Sequence, residues 1–274
     1  MTSLERAVPH VASAEPVAPV RFLLDSWTVA HAEIRKLAHD PTEVLTRAVQ
    51  PILWLLVFGQ VIAQSRVIAT GNLSYMDFLT PGVLAQSALF SAIFFGIAVI
   101  WERDLGVLHK YLVSPASREA LVTGKAVAGG LRALVQTFVV YIVAVLVGIH
   151  LRWEIPALVG AALVVVLGAA GFATFSLIVA CLVRTRERFM GIGQILTMPL
   201  FFASSAIYPI AMMPGWLQVL AHLNPLTYQV DALRALMIDG GPSTYPIALD
   251  ISVLAVTVVV LVAIASRLYP RLAQ

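Results

Sequence analysis

The segment WERDLGVLHKYLVSPASREALVTGK, residues 101–125, is a polar island between two long apolar runs. Over a quarter of its residues carry a charge, whereas the runs on either side, residues 78–100 and 126–149, carry almost none. Apolar runs of this length are long enough to cross a bilayer. The island therefore predicts a polar connection between two membrane-spanning helices.

The composition of the whole chain agrees with a membrane protein. Of its 274 residues, 59% are hydrophobic and only 12% are charged, against roughly 25% charged in soluble domains. The basic residues are dispersed between the apolar runs, so the net charge of +3 does not indicate nucleic-acid binding. The single cysteine, Cys181, lies inside an apolar run and is interpreted as a buried structural residue.

Six apolar stretches approach the roughly 20 residues that a spanning helix needs. We therefore predict an all-α membrane protein. The spans are numbered 1 to 6 and cover about residues 41–64, 78–100, 126–149, 157–183, 190–208 and 247–266.

The distribution of Lys and Arg predicts the orientation. Fourteen of the 18 basic residues fall in segments on the same side of the membrane as the N-terminus. By the positive-inside rule, both termini are then cytoplasmic. The polar island faces the cytoplasm and residues 208–246 face outside. Residues 1–20 lack a signal-peptide core and are predicted to be a disordered cytoplasmic tail.

Residues 21–39 are predicted to form an amphipathic helix on the membrane surface. Apolar residues recur at helical spacing, and charged residues lie toward the other face. The segment is too charged to span. An ordinary amphipathic helix packed on protein remains the alternative. The apolar stripe comprises Leu23, Trp27, Ala30, Ile34 and Leu37.

Within the polar island, Leu105, Leu108 and Leu112 recur at helical spacing and predict a short amphipathic helix over about 104–113. Ser114 and Pro115 are then expected to be the N-cap and first residue of the next helix. From the residues alone, a solvated loop with helical propensity remains the alternative.

The outer segment before span 6 contains too many helix breaks for one helix and too much apolar surface for a free loop. Pro214 predicts one short helix to about residue 223, and Asn224-Pro225 predicts a second to about residue 238. Asp231 and Arg234, three residues apart, are expected to pair. The pattern indicates a re-entrant helical hairpin that is packed or lines a pore.

Two motifs resemble those of ABC-2-type ABC transporter permeases, and most of all the daunorubicin and multidrug-resistance exporter permeases. They are ERDLGVLHKYLVSPASREALVTGK, which is similar to that family's coupling-helix region, and YPIAMMPGWLQVLAHLNPLTYQVDALR, which is similar to its C-terminal pattern. The resemblance covers the chain from about residue 21 to its end.

This resemblance implies a transmembrane subunit of an ATP-driven exporter in the bacterial plasma membrane. Such a subunit pairs with a second permease, the same or homologous, and with two copies of a cytoplasmic ATPase. Its cargo would be a hydrophobic or amphipathic drug, lipid or glycan, and residues 21–39 would be its connecting helix.

The resemblance also implies three groups of site residues. The ATPase-coupling residues would be Glu102, Arg103, Leu105, Leu108, Lys110, Leu112, Ser114 and Pro115. The extracellular gate would comprise Pro209, Pro214, Trp216, Asn224, Pro225, Tyr228, Asp231 and Arg234. The substrate path would include Gln60, Gln86, Gln194, Thr197 and Ser204.

No cofactor is expected on this chain. A P-loop needs G-x-x-x-x-G-K-[ST], and the nearest fragment, Gly124-Lys125-Ala126, lacks the hydroxyl that binds Mg²⁺. ATP and Mg²⁺ are therefore expected on a partner subunit, and the chain itself is not expected to be an enzyme.

Three other functions compete with this hypothesis. An ion-driven secondary transporter would carry acidic or His residues within its spans, and we treat spans 2, 4, 5 and 6 as free of them. A membrane-embedded enzyme would need clustered acid, base or metal ligands, whereas the six His are scattered. A scaffold subunit without transport of its own is the third alternative.

Overall fold

A computed structural model describes residues 18–38, 49–65, 67–68, 70–71, 73–107, 116–183 and 185–270. Within these ranges the regular structure is helical, apart from an isolated antiparallel bridge between Leu151 and Ile238. The helices are α1 (Ala18–Ala38), α2 (Val49–Ser65), α3 (Tyr75–Asp104), α4 (Arg118–Val147), α5 (Ile155–Leu182), α6 (Arg186–Phe202), α7 (Gly215–Leu223), α8 (Pro225–Met237) and α9 (Ile247–Leu268).

Four of these helices, α3, α4, α5 and α9, are long and apolar enough to cross a membrane. They correspond to the predicted spans 2, 3, 4 and 6. Helices α2 and α6 overlap spans 1 and 5, but their described parts are shorter than the four long helices. An all-helical membrane protein is thus confirmed, while the total of six spans stays a prediction.

Helix α5 lies at the centre of the bundle and packs against α3, α4, α8 and α9. Its small residues make this packing close. A Cβ atom on Gly130 of α4 would lie 2.6 Å from the carbonyl oxygen of Val166 in α5. Backbones in lipid approach this closely only where the side chains are small, as we expected for span 4.

The polar island is partly helical. Helix α3 runs four residues past the predicted end of span 2, to Asp104, and a turn at Gly106 with φ +71° follows it. The next helix begins at Arg118, where the Ser117 hydroxyl accepts the Ala120 N–H at 3.2 Å. The helix start expected at Ser114-Pro115 is therefore wrong, because Ser117 provides the N-cap.

Residues 108–115 lie outside the described part of the chain. The predicted short helix over 104–113 consequently remains a prediction. The first 17 residues of the predicted tail also lie outside it, while α1 begins at Ala18.

The outer segment folds as the proline positions predicted. Pro214 precedes α7, and Asn224 caps α8 by accepting the Leu226 N–H at 3.0 Å. The expected pair between Asp231 and Arg234 is wrong, because each side chain has other partners. Asp231 accepts hydrogen bonds from residues 243–245, and Arg234 donates to the Ser205 carbonyl.

Candidate functional site: a buried charge network at the foot of spans 2 and 3

Three charged side chains meet inside the protein where α3, α4 and α1 converge. Lys125 Nζ donates to Glu102 Oε2 at 2.6 Å and to Glu33 Oε1 at 3.3 Å. All three side chains are buried, with Lys125 only 2% exposed. The network joins the surface helix to the last turn of α3, immediately before the polar island leaves the bundle.

Arg132, two turns further along α4, also contacts Glu33. Its Nη2 lies 3.4 Å from the Glu33 carbonyl oxygen and 3.6 Å from Oε2. The Phe95 ring of α3 lies beneath both cations, 5.4 Å from the Arg132 guanidinium carbon and 5.8 Å from Lys125 Nζ. Among the described residues, two cations thus face two carboxylates.

The surface helix can approach α4 this closely because of a glycine. A Cβ atom on Gly124 would lie 2.6 Å from the Ser26 carbonyl oxygen and 2.7 Å from Val29 Cβ. The side of α1 that faces α4 buries Ser26, Val29, Ala30 and Glu33, which recur at helical spacing. Of the predicted apolar stripe, Leu23 and Trp27 are exposed, whereas Ala30 is buried. A position of α1 on the membrane surface therefore stays a prediction.

A buried network of this kind is rigid when all its partners are present, and losing one partner lowers the stability of the fold. Removing one partner of a buried ion pair leaves an uncompensated charge in a poor solvent. Movement of the island at its α3 end is therefore linked to α1 and α4. The described residues hold no cluster of three or more His, Cys, Asp or Glu suited to a metal ion.

The predicted coupling residues divide into three groups. Glu102 is buried within the network, Arg103 pairs with Asp104 at 3.0 Å, and Leu105 is 71% exposed in the turn after α3. The remaining members, Leu108, Lys110, Leu112, Ser114 and Pro115, lie outside the described residues. Sequence reasoning missed Glu33 and the pairing role of Lys125. Glu33 could have been found from the sequence, because it is an acidic residue on the same side of α1 as Val29 and Ala30.

Three of the predicted gate residues, Asn224, Arg234 and Tyr228, make contacts that hold the helical hairpin in place. Asn224 donates through Nδ2 to the carbonyls of Leu200 at 2.6 Å and Ala203 at 2.8 Å, so it joins the hairpin to the end of α6. The Arg234 guanidinium stacks 3.9 Å above the Phe78 ring of α3. Tyr228 donates to the His222 carbonyl at 2.7 Å.

Three more of the predicted gate residues lie around α7. Pro209 precedes a 3₁₀ turn, Pro214 precedes α7, and Trp216 is exposed on α7. Pro225 is the first residue of α8. The hairpin is thus fastened to α3 and α6, while its first helix presents an exposed apolar edge.

The predicted substrate-path residues are not brought together as one surface in this chain. Gln60 and Gln194 are exposed, whereas Gln86, Thr197 and Ser204 are buried. The Thr197 and Ser204 hydroxyls donate to the Gly193 carbonyl at 2.5 Å and the Phe201 carbonyl at 2.6 Å. Whether the exposed members line a path between two subunits remains a prediction.

Span 6 contains an acidic residue, Asp250, although we expected no acidic residue in this span. Asp250 lies in the first turn of α9 and is fully buried, and neither carboxylate oxygen has a hydrogen-bond partner among the described residues. The statement that span 6 is free of acidic residues is therefore wrong. A buried ionisable residue in a span is a candidate functional group, so the argument against an ion-driven transporter is weaker than the sequence suggested.

These features define a multi-span membrane protein in which buried charges link the polar island to the adjoining helices. A family model for the ABC-2 type transporter matches residues 25–238, and the chain belongs to that family. It is accordingly a membrane permease subunit of an ABC transporter, a class of subunit that is not generally catalytic and that associates with an ABC ATPase.

Named relatives agree with this assignment. The chain is 31% identical to ycf38 of Cyanophora paradoxa, named as a transport permease, over 78% of this chain and 74% of that protein. It is 25% identical to the daunorubicin resistance ABC transporter permease protein DrrB1 of Streptomyces coeruleorubidus, over 92% and 88%. It is 26% identical to the inner membrane transport permease YadH of Escherichia coli K12, over 80% and 84%.

Proposed function

We propose that this chain is the transmembrane subunit of an ATP-driven exporter that moves an amphipathic or hydrophobic molecule out across a bacterial plasma membrane. Two copies of a separate ATPase would bind ATP and Mg²⁺ and dock on the polar island from the cytoplasm. A second permease, identical or homologous, would complete the pathway, and membrane lipid would surround both. Both termini would be cytoplasmic.

The observation that carries this proposal is the Glu33–Lys125–Glu102 network. It lies at the exit of the polar island, where a partner's push on residues 105–117 would enter the bundle. Because the network is buried and hydrogen-bonded, a displacement at Glu102 is transmitted to α1 and α4 instead of being absorbed by a flexible loop. A motor-driven permease needs such a rigid connection at this place.

The proposed cargo class rests on the drug-resistance name of one relative and on the exposed apolar faces of α2 and α6. Val57 and Val61 of α2 and Ile195 of α6 are exposed in the single chain. A second permease or an apolar cargo would cover such surfaces. Doxorubicin and daunorubicin are therefore suitable first probes.

The first experiment is purification of the tagged chain from its native membrane in a gentle detergent, with identification of the proteins that accompany it. We expect a stoichiometric ATPase that carries a P-loop. Inverted vesicles that contain the complex should then accumulate doxorubicin with Mg-ATP and not with a non-hydrolysable analogue. A chain that purifies alone, or uptake that is insensitive to ATP, would contradict the proposal.

Orientation is tested by a cysteine at Gln218 in a variant whose native cysteine is replaced, Cys181→Ala. A membrane-impermeant thiol reagent should label this cysteine on intact cells, because α7 is proposed to face outside. Labelling that requires permeabilised cells would reverse the topology and place the charge network on the wrong side for an ATPase.

A proton- or ion-coupled secondary transporter is the second candidate, and the buried Asp250 favours it. The two functions respond differently to the energy source. Uptake into inverted vesicles that collapses with a protonophore and persists without ATP would identify the ion-driven mechanism. Asp250→Asn should then abolish it, whereas the same substitution should leave ATP-driven uptake intact.

A further inference from the structure

The side chain of Arg186 connects the start of α6 to the end of α3. The Arg186 guanidinium carbon lies 3.9 Å above the Trp101 ring, and Nη2 donates to Asp104 Oδ2 at 2.7 Å. Arg103 donates to the same carboxylate at 3.0 Å. Trp101 and Asp104 lie in the last turn of α3, so this contact is adjacent to the polar island.

Arg186 is held at this position by the local structure of α6. Thr185 caps the helix by accepting the Arg188 N–H at 3.4 Å, which fixes Arg186 as its first residue. One turn later Phe189, only 1% exposed, packs on α3. A Cβ atom on Gly96 would lie 2.5 Å from Phe189 Cζ. Span 5 therefore rests on α3 at a tight contact, with Arg186 beyond that contact at its cytoplasmic end.

The two connections of the island differ in their surroundings. The network around Lys125 is buried, whereas the Arg186 and Asp104 side chains are about a third exposed, 35% and 36%. Solvent weakens an exposed ion pair, while the stacking on Trp101 adds a favourable contact. The contact is thus strong enough to orient span 5 and weak enough to be remade during a cycle.

Helix α6, which overlaps span 5, is weakly packed within the described part of the chain. Apart from its contact with α3 it packs little within the described part of the chain. Met190, Ile195 and Phe202 are exposed along it. A rotation of α6 about the Phe189–Gly96 contact would move these residues together.

We propose that Arg186 is a positioning residue that couples movement of the polar island to span 5, through its contacts with Trp101 and Asp104. This inference rests on the proposed ATP-driven function. In it, displacement of residues 101–107 by the ATPase pulls the start of α6 along, and α6 turns on Phe189. Without Arg186, the polar island moves but α6 does not follow it.

The experiment measures whether the island and span 5 move together. Spin labels are placed at Val107→Cys, in the turn after α3 and outside the predicted coupling residues, and at Glu187→Cys, an exposed position outside the contact, in a Cys181→Ala background. The complex with its native ATPase is purified into nanodiscs. The distance distribution is recorded without nucleotide and after trapping with ATP and vanadate, and ATP hydrolysis is measured on the same samples.

We expect the two labels to keep one narrow distance in both states when Arg186 is present. Arg186→Gln should broaden or shift the distribution after trapping, while ATP hydrolysis stays within about twofold. Arg186→Lys, which keeps the charge for Asp104, should restore most of the narrow distribution. Arg188→Gln is the matched control, since Arg188 is an exposed cation in the same turn, and it should behave like the parent.

Unchanged distances in Arg186→Gln would overturn the coupling role. A parent complex that hydrolyses ATP but whose two labels separate on trapping would also overturn it and leave the ATP-driven function standing. A parent that carries no ATPase would contradict the proposed function itself, and the inference with it. The three results are distinguishable because hydrolysis and distance are read independently.

Discussion

Lys125 of α4 and Glu102 of α3 form a buried ion pair, with Nζ 2.6 Å from Oε2. The two residues are 23 positions apart and stand at the two ends of the polar island, so the pair closes the base of that segment. Glu33 joins from α1 at 3.3 Å. Force applied to the island reaches α1 and α4 through this closed base.

Lys125→Met should destabilise the protein by about 3–5 kcal/mol, because it removes the buried ammonium group with which both Glu102 and Glu33 pair. The thermal unfolding midpoint in detergent is the measurement. Arg118→Met, which removes an exposed cation from the same helix, should change stability by no more than about 0.5 kcal/mol. Equal effects of the two substitutions would mean that the network is not desolvated.

The close approach of α1 to α4 gives a second prediction. Gly124→Ala should destabilise by about 1–3 kcal/mol, since the new methyl group would lie 2.6 Å from the Ser26 carbonyl oxygen. Gly191→Ala in α6 meets no atom within 4 Å and should stabilise by about 0.5–1 kcal/mol through helix propensity. Loss of stability in both variants would contradict the described packing of α1.

The helical hairpin could be predicted from the sequence because its signals are local. Pro214 and Asn224-Pro225 determine where two helices begin through their own backbone geometry, and both begin there. The start of α4 could not be chosen in this way. Ser114 and Ser117 are both suitable caps, and only the folded chain shows that Ser117 accepts the Ala120 N–H.

The charge network could not be predicted because its members are distant in sequence. Glu33 and Lys125 are 92 positions apart, and spacing rules on one helix say nothing about such a contact. The pair expected between Asp231 and Arg234 failed for a related reason. Their separation allows pairing, but stronger partners were available in the loop before α9 and at Ser205.

Two buried aspartates of the outer half should respond oppositely to the same substitution. Asp231 accepts hydrogen bonds from the Ser243 hydroxyl at 2.9 Å and from the Thr244 and Tyr245 N–H groups at 2.8 and 2.9 Å. Asp231→Asn should therefore destabilise by about 1–3 kcal/mol, since the charge that these donors stabilise is lost and the amide NH₂ would face the Thr244 N–H, which also donates to Oδ1 at 3.0 Å.

Asp250 has no hydrogen-bond partner among the described residues on either oxygen, so Asp250→Asn should leave the unfolding midpoint unchanged or raise it. Removing a buried, unpaired carboxylate relieves a desolvation cost. Both variants are compared by thermal unfolding in the same detergent. Destabilisation by Asp250→Asn as large as that of Asp231→Asn would mean that Asp250 has a partner in the assembled transporter.

Asn224 allows a sharper test of the hairpin, because its side-chain oxygen and nitrogen have different hydrogen-bond partners. Oδ1 caps α8, while Nδ2 donates to the carbonyls of Leu200 and Ala203. Asn and Asp are about equally good N-caps, so a residue that only caps would tolerate Asn224→Asp. Here the second carboxylate oxygen would face two carbonyl oxygens. We expect a loss of about 2–3 kcal/mol, the cost typical of a lost hydrogen bond with a buried charge.

Ser117→Asp is the matched control, since Ser117 only caps α4 and is exposed. That variant should remain within about 0.5 kcal/mol of the parent. Limited proteolysis distinguishes a local from a global effect. If the hairpin is fastened to α6 through Nδ2, cleavage in residues 203–224 should accelerate in Asn224→Asp while the cytoplasmic segments keep their parental rate. Equal tolerance of Asp at both positions would mean that the hairpin is held to α6 by packing alone.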